Sequence, residues 1–251
     1  PWMVLAYVAA ATVLVLRGAS MALRTVGRIR IKLRTRALLP FVAGTVPLFG
    51  LTIMVALYLS VDSVMLGYMQ PYSEVARYEA GSKILEASQF MIRPLTLVLF
   101  PICAQYAAHR RWGKLRWTFR WATAGGIALG VLICGVVQVL GDPLIRVVYT
   151  DRYASSAEVL RILFWASPAI YVATVASFLA ASIHHDRLAL AAVVTGTALN
   201  IGLNLLLIPD MGAVGAAWAT VAAQSTNALL LVLVVTFGIR TSRNEEPEPQ
   251  R

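Results

Sequence analysis

Residues 188–238 read LALAAVVTGTALNIGLNLLLIPDMGAVGAAWATVAAQSTNALLLVLVVTFG, and the only charged side chain among them is Asp210. The hydrocarbon core of a bilayer is about 30 Å thick, and a helix needs about 20 apolar residues to cross it. The stretch therefore reads as two spans, about 188–208 and 213–238, joined by a Pro-Asp-Met-Gly connection. Gly212 and Gly215 at the start of the second of these permit close helix contact.

Working back toward the N-terminus, apolar runs predict further spans at about 157–181, 118–140 and 76–106. An over-long one covers about 38–66, with Asp62 near its far end. Residues 1–16, PWMVLAYVAAATVLVL, read as the end of one more span that begins upstream. The expected fold is an all-α, polytopic transmembrane helix bundle with six full spans plus one partial N-terminal span. Pro40, Pro47, Pro94, Pro101 and Pro168 fall inside these runs, where membrane helices tolerate breaks. The tail after about residue 238 ends in TSRNEEPEPQR and is too polar to bury a face, so it is expected to be disordered.

Composition agrees. Of 251 residues 59% are hydrophobic and only 14% charged, with mean hydropathy +0.71. A soluble domain averages nearer a quarter charged, so the solvent for most of this chain is lipid. The net charge of +10 raises nucleic-acid binding as a possibility, and placement decides against it. Sixteen of the 22 Lys and Arg residues lie between apolar runs: seven in 17–36, five in 107–120, one in 182–187 and three in the tail. These are positive-inside flanks, not a folded basic face with readers between the charges.

The flanks also set an orientation. With 17–36 in the cytoplasm, alternation puts 107–117, 182–187 and the tail on the same side. These connections hold Arg110, Arg111, Lys114, Arg116, Arg187, Arg240 and Arg243, while 67–76, 141–156 and 209–212 hold only Arg146 and Arg152. The expected location is the cytoplasmic membrane, with the C-terminus inside. Within 141–156 the sequence Gly141-Asp142-Pro143 is a helix-start signal. Leu144, Ile145, Val148 and Tyr149 then share a face, which predicts a short amphipathic helix on the outer leaflet.

Ionisable residues inside a span are functional candidates, because exposing them to lipid is costly. The run YEAGSKILEASQFMIRPLTLVLFP places Glu79, Lys83, Glu86 and Arg93 at intervals of four, three and seven. On one continuous helix all four fall within an arc of about 80°. A purely structural reading pairs Lys83 with Glu79 and Glu86. Arg93 has no acid three or four residues away, so it calls for a partner from another helix or an anionic ligand. Asp62 is either solvated near the outer surface or faces the same cavity, opposite Lys83 or Arg93. Weaker polar faces occur at Thr197, Asn200 and Asn204, at Thr220, Gln224 and Asn227, and at Ser167, Tyr171 and Thr174. Such sets join helices more often than they bind substrate.

Cys103 and Cys134 lie in apolar runs without metal-ligand spacing, and His184 and His185 sit in a short loop with no third ligand nearby. Neither pair suggests a metal or cofactor. Cys103 is expected near the inner end of its span and Cys134 in the outer half of the next, too far apart for a disulfide.

The stretch VDSVMLGYMQPYSEVARYEAGSKILEASQFMIRPLTLVLFP resembles the first two helices of the C-terminal lobe of lipid-linked polysaccharide flippases. GDPLIRVVYTDRYASSAEVLRIL is similar to their outer connecting segment, although Thr150 stands where a glycine is expected. NIGLNLLLIPDMGAVGAAWATVAAQ resembles their last helix pair. The family belongs to the multidrug/oligosaccharidyl-lipid/polysaccharide exporter superfamily, whose members place two six-helix lobes round an alternately opening cavity. The resemblance implies that 1–16 ends the N-terminal lobe of the same polypeptide. It makes 17–36 a basic cytoplasmic loop, 37–238 the whole C-terminal lobe and 239–251 a cytoplasmic tail.

It further implies a flippase for polyprenyl-linked oligosaccharide, working among membrane lipids and performing no chemistry. Arg93 and Lys83 would offset the diphosphate, and Glu79, Glu86 and Asp62 would balance charge or couple to H+ or Na+. Asn200, Asn204, Gln224 and Asn227 would hydrogen-bond sugar hydroxyls. The nearest rival is a cation-coupled drug exporter of the same superfamily, which two basic residues in the second span disfavour. A membrane glycosyltransferase or polymerase would need an acid–acid or His–acid pair in an outer loop, and none is present. A structural scaffold would have no use for a charged stripe.

Overall fold

The structure, a computed structural model, describes residues 12–14, 16–18, 20–21 and 60–244. The chain divides into two compact units, Pro1–Val55 and Ala56–Arg251. In the first, the described residues are helical, and helix reaches past Leu16 into the basic stretch. The second unit is a helix bundle, with no strand among the described residues. Helix α1 covers residues 60–69, α2 is Tyr72–Ser88 and α3 is Arg93–Ala108. They are followed by α4, Trp112–Val148, α5, Ser156–Phe164, α6, Ser167–Ser182, and α7, Asp186–Asn244. Short 3₁₀ turns lie at Gln89–Met91 and Asp151–Tyr153.

Two expected spans are broken, each next to a proline. Pro94 lacks an N–H, and its ring collides with the carbonyl four residues back, so the helix stops near Phe90. It resumes at Arg93 with a bend of 43°. Ile92 N–H turns to the Gln89 carbonyl, and the Ser88 carbonyl accepts instead from the Tyr171 hydroxyl at 2.8 Å. The second break separates α5 from α6 by 46°. Pro168 has no N–H for the Phe164 carbonyl, and the Ser167 hydroxyl lies 2.7 Å from that oxygen and 2.9 Å from the Gly130 carbonyl. A Cβ at Gly130 would sit 2.5 Å from Pro168 Cα, so α4 crosses this kink only with glycine there. Pro101, in contrast, lies inside an unbroken α3.

A third break divides α7. Gly212 takes φ 53 and ψ −129, a conformation that favours glycine. The apolar run Asp186–Thr241 would be on the order of 84 Å long as one rod, far beyond a bilayer. It folds back instead. Gly196 meets Asn227 across the pair, and Asn204 and Thr220, each eight residues from Gly212, reach the same carboxylate. The predicted spans at 188–208 and 213–238 are thus two antiparallel arms. Gln70 clamps their junction by donating to the carbonyls of Ile208 at 2.9 Å and Pro209 at 3.1 Å.

Trp112–Val148 and Asp186–Thr241 are each long and apolar enough to cross a membrane, as is each bent pair taken as one span. With α7 folded back, five helical passes occur among the described residues, preceded by the end of another at 60–69. The rest of the first expected span, with Pro40 and Pro47, lies outside the described residues. Helix α6 runs through the middle of the bundle, its small and apolar side chains buried on nearly every side. Cys103 and Cys134 are buried and free.

The separate helix expected on the outer leaflet is not formed. Helix α4 continues through Gly141-Asp142-Pro143 to Val148. Its last turns pack on α5: Gly141 lies against the Arg161 side chain, Asp142 pairs with Arg161, and Ile145 is fully buried. Gln138 ties the same face to the Arg161 carbonyl at 2.8 Å. Of the face that looked amphipathic, Ile145 is core and Leu144 and Tyr149 pack half-buried against the core, while Val148 stays exposed. At the C-terminus, helix extends to Asn244, into the segment expected as a disordered tail.

Candidate functional site

Asp62 is the centre of a polar knot that ties three helices together. Its carboxylate accepts from the Tyr78 hydroxyl of α2 at 2.7 Å and from the Asn204 amide of α7 at 2.5 Å. It also accepts from the Thr220 hydroxyl, on the other arm of α7, at 3.2 Å. Asn204 spans on to the Asn200 carbonyl oxygen at 3.2 Å, and Tyr78 and Thr220 hydroxyls are 3.0 Å apart. Tyr78, Asn200, Asn204 and Thr220 are all buried. Asp62 has no cationic partner among the described residues. Its charge is held by neutral dipoles alone.

Local structure explains the convergence. Asn200 and Asn204 are one helical turn apart and share a face. The fold at Gly212 brings Thr220 opposite them. On α2, Glu74 accepts from the Ala213 N–H at 2.9 Å and from Arg77 at 2.8 Å. That clamp fixes the hairpin tip one turn from Tyr78. The hydrogen bonds from Gln70 to the same tip set its distance from α1.

A cleft of about 80 Å³ opens beside the knot. Ser63, Glu79, Ser82, Glu86 and Gln89 line one side of it, Asn200, Thr220 and Gln224 another, and Leu85, Leu163 and Ile170 form its apolar floor. Ser63 donates to Glu79. Lys83 stands exposed at the rim, 3.0 Å from Glu86 and 3.8 Å from Glu79, as the structural pairing of these residues requires.

The structure thus joins Asp62, Asn200 and Asn204 directly and brings Glu79, Glu86 and Gln224 into the same cleft. Lys83 belongs through its ion pairs. Arg93 does not line the cleft: the break before it ends the continuous helix on which the 80° arc was reckoned. Its guanidinium lies 4.8 Å from the Phe90 ring centroid, and the side chain is exposed. Asp62 accordingly pairs with neither Lys83 nor Arg93. Asn227 is buried against Gly196, where it joins the two arms of α7. Ser167 and Tyr171 serve the proline breaks, and Thr174 bonds back to the Ile170 carbonyl, so that face is structural.

Tyr78 is the functional residue that sequence reasoning missed. One signal for it existed, because Tyr78 falls four residues after Glu74 and four before Ser82 on the same helix. Among the described residues no group of three or more His, Cys, Asp or Glu could hold a metal ion.

The MatE family model matches residues 47–206, more than half of the chain. No curated protein and no solved structure matches.

Proposed function

The chain belongs to the MatE family, membrane exporters of the multidrug/oligosaccharidyl-lipid/polysaccharide superfamily, and from that premise we propose that it is a flippase for polyprenyl-linked oligosaccharide. It would carry its substrate from the inner to the outer leaflet of the cytoplasmic membrane, with 37–238 as the C-terminal lobe. The observation that carries this reading is the lining of the cleft. Carboxylates, amides and hydroxyls dominate it, and among the described residues Tyr78 is its only aromatic one. Sugar hydroxyls both donate and accept, so they are matched by such a wall, and a lipophilic drug is not.

Asp62 would couple transport to an ion. A carboxylate at membrane depth with only neutral donors keeps an uncompensated charge, and a proton or Na+ would remove that cost. Because the carboxylate holds α1, α2 and both arms of α7, its loading state would bias their relative positions.

One observation favours the drug-exporter reading. Asp62, Glu79 and Glu86 outnumber Lys83, and Arg93 lies off the cleft, so a cationic substrate meets no excess of positive charge there. The two readings separate in a strain lacking the gene, complemented with the full-length protein or its Asp62→Asn variant. The flippase reading expects surface polysaccharide to be lost with the variant, at unchanged protein abundance and unchanged susceptibility to cationic drugs. Normal polysaccharide together with raised drug susceptibility would replace it with the exporter reading.

A further inference from the structure

A second groove lies away from the polar cleft and shares no residue with it. It runs between α4 and the second arm of α7 and holds about 430 Å³. On α4 its wall is Arg116, Arg120, Thr123 and Ile127, positions that recur every three or four residues and so form one helical face. Val232 and Arg240 belong to the facing wall. Among the described residues no carboxylate lines it, and Arg116, Arg120 and Arg240 have no ion pair. Three guanidiniums without an ion pair among the described residues thus share a slot whose other described walls are apolar apart from Thr123 and Thr236.

Depth fits a lipid. Helix α4 is continuous, and Arg120 and Arg146 lie on the order of 40 Å apart along it, close to the thickness of a bilayer with its headgroups. Trp117 and Trp121, each 64% exposed with ring centroids 6.0 Å apart, stand beside the arginines. Exposed tryptophans of this kind settle at the membrane–water interface. From Arg116 to Ile127 the wall descends on the order of 16 Å, about one leaflet of hydrocarbon. A second basic cleft, lined by Arg110, Arg111 and Lys114, shares Arg116 and Ile239 with the groove and extends the positive field at its mouth.

We propose that this groove is a binding site for one anionic phospholipid. Arg116, Arg120 and Arg240 grip its phosphodiester, and an acyl chain lies along the apolar wall below them. Guanidiniums suit this role because their forked donors match phosphate oxygens. A free phosphate would use the arginines and leave the apolar slot without purpose. The occupant is a resident lipid and not the transported substrate, since the groove is separate from the cleft.

The test is native mass spectrometry of the full-length protein, titrated with dioleoyl phosphatidylglycerol or dioleoyl phosphatidylcholine. Wild type should bind the anionic lipid about tenfold more tightly, as expected for a few arginines at a membrane surface. The triple variant Arg116→Gln, Arg120→Gln, Arg240→Gln should bring the two lipids within about twofold of one another. Ile127→Trp, which fills the slot and keeps every charge, should weaken phosphatidylglycerol binding also, and it decides the matter if the triple variant fails to fold. Unchanged preference in the triple variant, or unchanged phosphatidylglycerol affinity in Ile127→Trp, would overturn the proposal. So would displacement of the lipid by equimolar inorganic phosphate or by equimolar polyprenyl phosphate.

Discussion

Two polar clusters lie within a few turns of each other on α2, and they are built on opposite principles. The Lys83 cluster is an ion triad with Glu79 and Glu86 on a single helix, exposed at the rim. The Asp62 cluster is a single charge held by Tyr78, Asn204 and Thr220, which come from α2 and both arms of α7. The first pairs its charges within one helix and reaches beyond it only through the Ser63 hydroxyl on Glu79. The second leaves its charge uncompensated and ties separate segments together. Charge density along the sequence points to the first, and mechanical consequence belongs to the second.

The largest effect should come from Asp62→Asn, which keeps the shape and removes the charge. Transport by the full-length protein should fall by about a hundredfold or more, the scale of losing an uncompensated functional charge. Abundance in the membrane should remain near wild type, as read by immunoblot. Transport within threefold of wild type would dissolve the contrast between the clusters.

Next comes Gly130→Ala. Its Cβ would overlap the Pro168 backbone, and such overpacking costs about 1–3 kcal/mol. A lowered thermal midpoint in detergent, with transport per folded molecule preserved, would separate scaffold from site. Tyr78→Phe should be milder, since one interhelical hydrogen bond is worth about 0.6 kcal/mol in a membrane protein. Its effect should be on transport more than on melting temperature, because the lost donor serves Asp62. The smallest change is expected from Lys83→Ala, whose exposed pairs contribute about 0.5 kcal/mol or less. Arg93→Ala should lie between Tyr78→Phe and Lys83→Ala, with Arg93→Lys close to wild type. A loss from Arg93→Ala as deep as that from Asp62→Asn would return Arg93 to the substrate path and sharpen the boundary of the cleft.

Hydropathy determined by itself that this is an all-α membrane bundle and, among the described residues, where its long apolar helices lie. This quantity is local and additive, so it survives small errors in helix boundaries. The sequence also marked Asp62, Asn200 and Asn204 as polar residues at membrane depth. Which of them meet was decided by tertiary structure, through the breaks near Pro94 and Pro168 and the fold at Gly212. Each residue of helix turns the facing direction by about 100°, so a break of two or three residues removes Arg93 from the stripe drawn for it. The same geometry joins Gly141–Val148 to α4 and buries Gly141 and Ile145 in the core, because only the position of α5 tells which side is covered. Tyr78 entered the site for the same reason: its role depends on Asp62 and Thr220, which lie 16 and 142 residues away along the chain and beside it in the fold.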